Sequence, residues 1–292
     1  MTGSSKCEAM VQIQKGGLSA RFNEKGAELK SLRLNGTEYI WPGDPNFWAG
    51  SAPLMFPVCS GLRDDEYCLD GKTYAMQKHG YARFCTFQVE SVGEDTVTFL
   101  LRSDDESKKQ YPFEYELRII YTLSEKALNV RYDVKNLSPD AMYFSIGAHE
   151  GYYCPEGIEE YDVILPEPET LDSSVLEGNV LGYNKICVLD NSDTLPLKYD
   201  YFQVDALVFE NIKARSAVLK NRNTGRAVRV SFPGFDYFLL WTKPGANYIC
   251  MEPWCGISDR VDADKNFKTK EGILTVPAGE SLVREHTIEI FG

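Results

Sequence analysis

Short runs of alternating polar and apolar residues, each closed by residues that tolerate positive φ, recur along nearly the whole chain. ELKSLRLNGTEYIW alternates about Asn35-Gly36, the strongest short hairpin signal, because both residues enter the left-handed region at little cost. Asp70-Gly71 separates EYCL from KTYAM in the same way. FQVESVGEDTVTFLLRS turns near Gly93, FEYELRIIYTLSEKALNVRYDVKNL around Ser124-Glu125-Lys126, and SAVLKNRNTGRAVRVSF at Thr224-Gly225. VPAGESLVREHTIEI supplies a final strand. A period of two sends alternate side chains to opposite faces, so these strands belong to antiparallel sheets with one buried face. Seventeen Tyr and fifteen Phe suit pleated surfaces. No segment holds a helical period; the best candidate, residues 196–212, is short and rich in β-branched and aromatic residues. The stretch from Gly151 to Asp193, with prolines in PEGIEEY and PEPETL, reads as long irregular excursions over the core, of the kind that tends to carry function. No linker, repeat or composition shift marks a boundary. The expectation is one all-β domain over residues 1–292, a large antiparallel β-sandwich.

Charge removes several function classes. Asp and Glu number 43 against 31 Lys and Arg, a net charge of −12. Nucleic acid and anionic membrane both need a cationic footprint, so neither is expected as a partner, and a small molecule is. The eight cysteines (Cys7, Cys59, Cys68, Cys85, Cys154, Cys187, Cys250 and Cys255) show no regular spacing and no CxxC pair. Structural zinc needs clustered thiolates or imidazoles, so reduced, mostly buried cysteines and no metal are expected. MTGSSKCEAM lacks an apolar signal core and no run of 18 apolar residues occurs, which points to a soluble, cytoplasmic protein. The oligomeric state is not legible.

The chain has only three histidines, and two stand in unusual settings: His79 in KHGYAR and His149 in SIGAHEGYY. Glu252 stands alone in the apolar run NYICMEPW. Imidazole exchanges protons near neutral pH, and burial raises a carboxyl into the range useful to a general base. The three side chains can therefore make an acid–base site without metal or cofactor. A carboxylate between Ile249, Met251 and Trp254 is costly to bury unpaired, so its structural alternative is a salt bridge, with Arg83 for example. Gly80 allows a turn at His79 or a close backbone approach by a ligand. His286 is read as an ordinary, partly exposed histidine.

GAELKSL, EYIWPGDPNFW, SAPLMFPV, KHGYAR, FSIGAHEGYY, DALVFEN, ICMEPWCGISD and the closing AGES run in order from about Leu18 to Ile290. Together they resemble the aldose 1-epimerase (galactose mutarotase-like) superfamily, and within it the shorter bacterial galactose mutarotase-related branch. The resemblance implies a two-sheet β-supersandwich with a sugar cleft on a concave sheet face, and cofactor-free interconversion of sugar anomers. It makes Glu252 the base and His149 the acid, His79 a sugar-binding histidine, and Asp205 a carboxylate that grips hydroxyls. Arg83 falls where related hexose-6-phosphate epimerases face a phosphate, or else it braces a carboxylate, the reading favoured by the acidic charge and the lack of a second basic cluster. Among aromatic residues, Phe144 and Trp241 are expected against the sugar, and Trp41, Trp48 and Trp254 in the core. One departure stands out: the family's sugar-binding arginine is replaced by Gly61, with Arg63 two residues on, about 7 Å along a strand. The readings in order are a free-hexose 1-epimerase, a hexose-6-phosphate 1-epimerase, and a non-catalytic sugar-binding protein. A metal site from His79, His149 and Glu252 ranks last.

Overall fold

The computed structural model describes residues 10–291. Cys7 and the N-terminal MTGSSKCEA lie outside them. The turn residues act as the sequence predicts: Asn35 and Gly36 take φ of 49° and 86° between the strands Leu29–Leu34 and Thr37–Glu38. Asp70 and Gly71, at 49° and 76°, join Glu66–Leu69 to Lys72–Ala75. Alternation is almost perfect in Tyr115–Leu123 and Ala127–Asn136, which pair antiparallel and bury every second residue.

Fourteen strands join one large sheet. From one edge it runs through Ile146–Gly147, Tyr248–Cys255, Tyr237–Trp241 and Leu207–Phe209 to Tyr161–Glu177. It continues through Ser216–Asn221, Ala227–Ser231, Ser281–Phe291 and Ala127–Asn136 to Tyr115–Leu123, Thr96–Arg102 and Gln88–Val92. A four-stranded sheet, Met10–Lys15 to Thr37–Glu38, packs on it. Phe22 of the small sheet lies 4.3 Å from the Tyr121 ring and 5.9 Å from Phe99, joining both sheets in one core. The fold is the all-β supersandwich expected. No helix among the described residues is long and apolar enough to cross a membrane.

The stretch read as irregular excursions is instead the longest hairpin of the molecule. Tyr161–Glu177 and Val180–Pro196 pair antiparallel and turn at Gly178, with φ of 65°. Its register slips between Ile164 and Glu169, where Pro166 and Pro168 interrupt the ladder. Proline removes a donor and breaks the pattern that sequence reading relies on, while the pairing on either side survives. Residues 196–212 hold one 3₁₀ turn, Tyr199–Phe202, followed by the strand Leu207–Phe209.

Every residue of Tyr248–Cys255 is buried. Its odd-numbered side chains Ile249, Met251 and Cys255 enter the main core, whereas Cys250, Glu252 and Trp254 leave the opposite face. That second face is covered too, by the walls of a cleft. A strand covered on both sides reads as a continuous apolar run, which is why Glu252 stands out in the sequence.

Candidate active site

A cleft of about 320 Å³ opens over this face, within the size range of small-molecule sites. His79, His149 and Glu252 all line it, together with Arg83, Asp205 and Trp241. Local structure explains each position. His79 has φ of 66° and Gly80 has 69°, and a Cβ on Gly80 would sit 2.1 Å from the Phe56 carbonyl oxygen, so only glycine fits there. Ser60 and His79 are bonded reciprocally: the His79 N–H donates to Ser60 O at 2.8 Å, and the Ser60 N–H donates to His79 Nδ1 at 3.1 Å. A ring that accepts at Nδ1 carries its proton on Nε2 when neutral, which makes His79 a donor. Burial and the nearby His149, Lys78 and Arg83 push its pKa well below 6.5 and keep it neutral.

His149 follows the bend after Ile146–Gly147, where the Ala148 N–H donates to Pro253 O at 3.1 Å and the Trp254 indole donates to Ala148 O, also at 3.1 Å. Its Nδ1 lies 3.5 Å from Glu252 Oε1. The Trp48 ring stacks on the imidazole at 5.1 Å, and the Trp241 and His79 rings meet it edge-on at 5.7 and 5.5 Å. Burial pushes His149 down to about 3, with Arg83 and Lys78 acting in the same direction. Glu252, 1% exposed, is driven well above the carboxylate range by burial and then by Asp205, against the pull of Lys78. Both partners thus favour their uncharged forms, a protonated carboxyl facing a neutral imidazole. The pair holds one exchangeable proton whether it is written that way or as carboxylate and imidazolium.

The remaining side chains depart from expectation in instructive ways. Arg83 neither braces Glu252 nor forms an ion pair with any carboxylate among the described residues. It donates from Nη2 to Lys78 O at 2.8 Å, and its buried Nε lacks a hydrogen-bond partner. Asp205 Oδ2 sits 3.6 Å from Lys78 Nζ, so a second cation, overlooked in the sequence, stands at the cleft. Phe144 does not reach the cleft: it is fully buried, 5.6 Å from the Phe56 ring, on a strand whose alternation aims it into the core. Trp48 and Trp254, assigned to the core, line the cleft instead. Arg63 turns away, donating from Nη1 to Ala263 O at 2.8 Å.

The hairpin tip explains Gly61. A Cβ on this glycine would lie 2.3 Å from the Asn179 carbonyl oxygen, and Ser258 Oγ sits 3.0 Å from Gly61 O and 2.7 Å from Asn179 O. Backbone from the tip occupies the space an arginine side chain would need, and Leu176 and Leu181 of the same hairpin form part of the wall.

Comparison with known proteins agrees with this construction. The family model described as aldose 1-epimerase matches residues 9–288. Protein LacX (chromosomal) of Lactococcus lactis subsp. lactis is 30% identical over 96% of this chain and 99% of its own. The galactose mutarotase related enzyme of Lactobacillus acidophilus superposes with a TM-score of 0.93 at 29% identity, covering 97% of this chain and 98% of that one. A galactose mutarotase-like protein of Lactobacillus casei gives 0.89 at 29% identity, over 97% and 100%. With its supersandwich fold and a family match across nearly its whole length, the chain belongs to the aldose 1-epimerase family.

Proposed function

We propose that residues 1–292 act as one catalytic domain, a cofactor-independent mutarotase that interconverts the α and β anomers of a free hexose. The observation that carries this reading is the His149–Glu252 pair, 3.5 Å apart at the floor of a sugar-sized cleft. Ring opening removes the proton from the C1 hydroxyl and adds one to the ring oxygen. The C1–O5 electron pair goes to oxygen while C1 becomes the aldehyde carbonyl. Rotation about C1–C2 and reversal of both transfers complete the reaction. Reacting as carboxylate and imidazolium, Glu252 takes the hydroxyl proton and His149 supplies the ring-oxygen proton, so the pair ends as carboxyl and neutral imidazole with the proton count it started with. A separation slightly beyond hydrogen-bond range suits groups that must each reach a different sugar oxygen. His79, as an Nε2–H donor, grips an acceptor oxygen near C1; Asp205 accepts from hydroxyls; Trp241 offers an aromatic wall to the C–H face of a pyranose.

A second reading has its own support. Arg83, with no carboxylate partner, and Lys78 leave cationic character at the cleft, and a guanidinium fork suits phosphate. A hexose 6-phosphate is therefore the alternative substrate. Polarimetry on freshly dissolved α-anomers of free and phosphorylated hexoses decides. Accelerated mutarotation of a free hexose, unchanged in Arg83→Ala, supports the first reading. A large phosphosugar preference that vanishes in Arg83→Ala replaces it with the second. Binding without acceleration of any sugar reduces the protein to a sugar binder.

A further inference from the structure

Cys250 precedes Glu252 by two residues on the strand Tyr248–Cys255, so both side chains leave the same face. Cys250 sits opposite Trp241 in the neighbouring strand and packs under the aromatic wall of the cleft. One donor atom each from His149, Cys250 and Glu252 fall within 4.8 Å of one another, all on buried residues. His149 Nδ1 and Glu252 Oε2 are both buried and have no hydrogen-bond partner. Metal–ligand bonds of about 2.0–2.3 Å in a tetrahedral zinc site put neighbouring donors roughly 3.3–3.8 Å apart. The 3.5 Å His149–Glu252 separation already fits that edge, and a side-chain adjustment of about 1 Å brings the sulfur into place.

We propose that His149, Cys250 and Glu252 form a zinc-binding site in the cleft floor, and that its occupation takes the acid–base pair out of use. The chemistry balances without a co-reactant. The thiol and carboxyl protons leave to solvent as the Zn–S and Zn–O bonds form, and neutral imidazole donates its lone pair. Two negative ligands then neutralise the dication, so no net charge is added to a buried site. His149 and Glu252 line the cleft, so water from it could complete the coordination. Zinc takes up the Nδ1 lone pair and a carboxylate oxygen and displaces the proton the pair would exchange, so the imidazole and carboxylate can no longer act together as acid and base, and zinc acts as an inhibitor. That inhibitory half rests on the mutarotase reading; the site itself does not.

Titration of the full-length reduced protein with Co²⁺, a spectroscopic stand-in for zinc, tests the site. Wild type is expected to bind one equivalent with a thiolate-to-cobalt charge-transfer band that Zn²⁺ bleaches. Cys250→Ser and Cys250→Ala should each lose the band and weaken Zn²⁺ binding by more than the about 10–100-fold cost of losing an outer-shell partner. Cys187→Ser, at an exposed cysteine, should keep it. No band in wild type, or a band that survives in the Cys250 variants, overturns the site. Polarimetry adds the functional arm: Zn²⁺ should slow wild-type mutarotation and lose potency in Cys250→Ser. Zinc-insensitive turnover with an intact band overturns the inhibition. A Cys250-dependent band in a protein inactive on every aldose sinks the mutarotase reading and leaves the metal site standing.

Discussion

His149 Nδ1 lies 3.5 Å from Glu252 Oε1, and His286 Nε2 lies 3.3 Å from Glu150 Oε1, so the molecule holds two imidazole–carboxylate pairs of similar geometry. His149 and Glu150 are chain neighbours whose side chains enter different surroundings. His149 reaches the cleft, while Glu150 turns into the interior. There the Tyr132 ring stacks on His286 at 5.7 Å and Phe235 meets it edge-on at 6.2 Å. The His286 side chain is 0% exposed and that of His149 is 10%. The geometry of the two pairs does not separate them; access to the cleft does. A molecule in the cleft can touch His149, whereas His286 is enclosed by core groups.

The strongest way to break this contrast is Glu252→Gln. The amide keeps shape but cannot accept a proton, and mutarotation should fall about 10²–10⁴-fold with sugar affinity retained. Near-normal turnover in polarimetry would reject the assigned base. His286→Leu should do the opposite, lowering stability by about 1–3 kcal/mol in urea unfolding because Glu150 is left without its partner. Adding Glu150→Gln should recover part of that loss. A stability-neutral His286→Leu with collapsed turnover would erase the distinction drawn between the pairs.

The cleft pair should also print its burial on pH dependence. His149 has its folded pKa depressed from 6.5 to about 3, so its contribution to stability is present above about 6.5 and is lost as pH falls toward 3. Wild type should therefore lose stability relative to His149→Asn across that window. Glu252 is raised, so its contribution is complete below the ordinary carboxylate range and is lost as pH rises through the folded value. Relative to Glu252→Gln, wild type should lose stability above about pH 4.5. Parallel urea midpoints at all pH values would contradict both directions.

The smallest expected effects separate two aromatic residues. Trp241→Leu should raise KM several-fold with kcat little changed, in line with the roughly 0.5–1.5 kcal/mol of an aromatic contact. Phe144→Leu should leave KM alone and lower stability, as a core residue must. A KM change in Phe144→Leu would return that ring to the cleft.

Much of the fold was legible because strands announce themselves locally. Asn35-Gly36, Asp70-Gly71 and the alternation of Tyr115–Leu123 need only neighbouring residues to be read. The hairpin Tyr161–Glu177 with Val180–Pro196 was not, since Pro166 and Pro168 break the periodic signal and the ladder that overrides them comes from pairing partners. Of the site residues, Glu252 was visible as a carboxyl in an apolar run, and His79 through the glycine that follows it. Trp48 and Lys78 gave no local sign: a tryptophan beside the core and one beside a cleft have the same neighbours in sequence. Phe144 and His286 failed for the converse reason, because their motifs say nothing of which face they occupy.

The sequence by itself determined an antiparallel β-protein, its main turns, and a small set of side chains able to move protons. Backbone sterics and a two-residue period fix those features within a few positions. Only the tertiary structure decided which histidine meets which carboxylate, that the hairpin tip fills the space beside Gly61, and that Arg83 stays unpaired. Those outcomes depend on burial and on distances between strands far apart in the chain, quantities that exist only once the sheets have closed over the cleft.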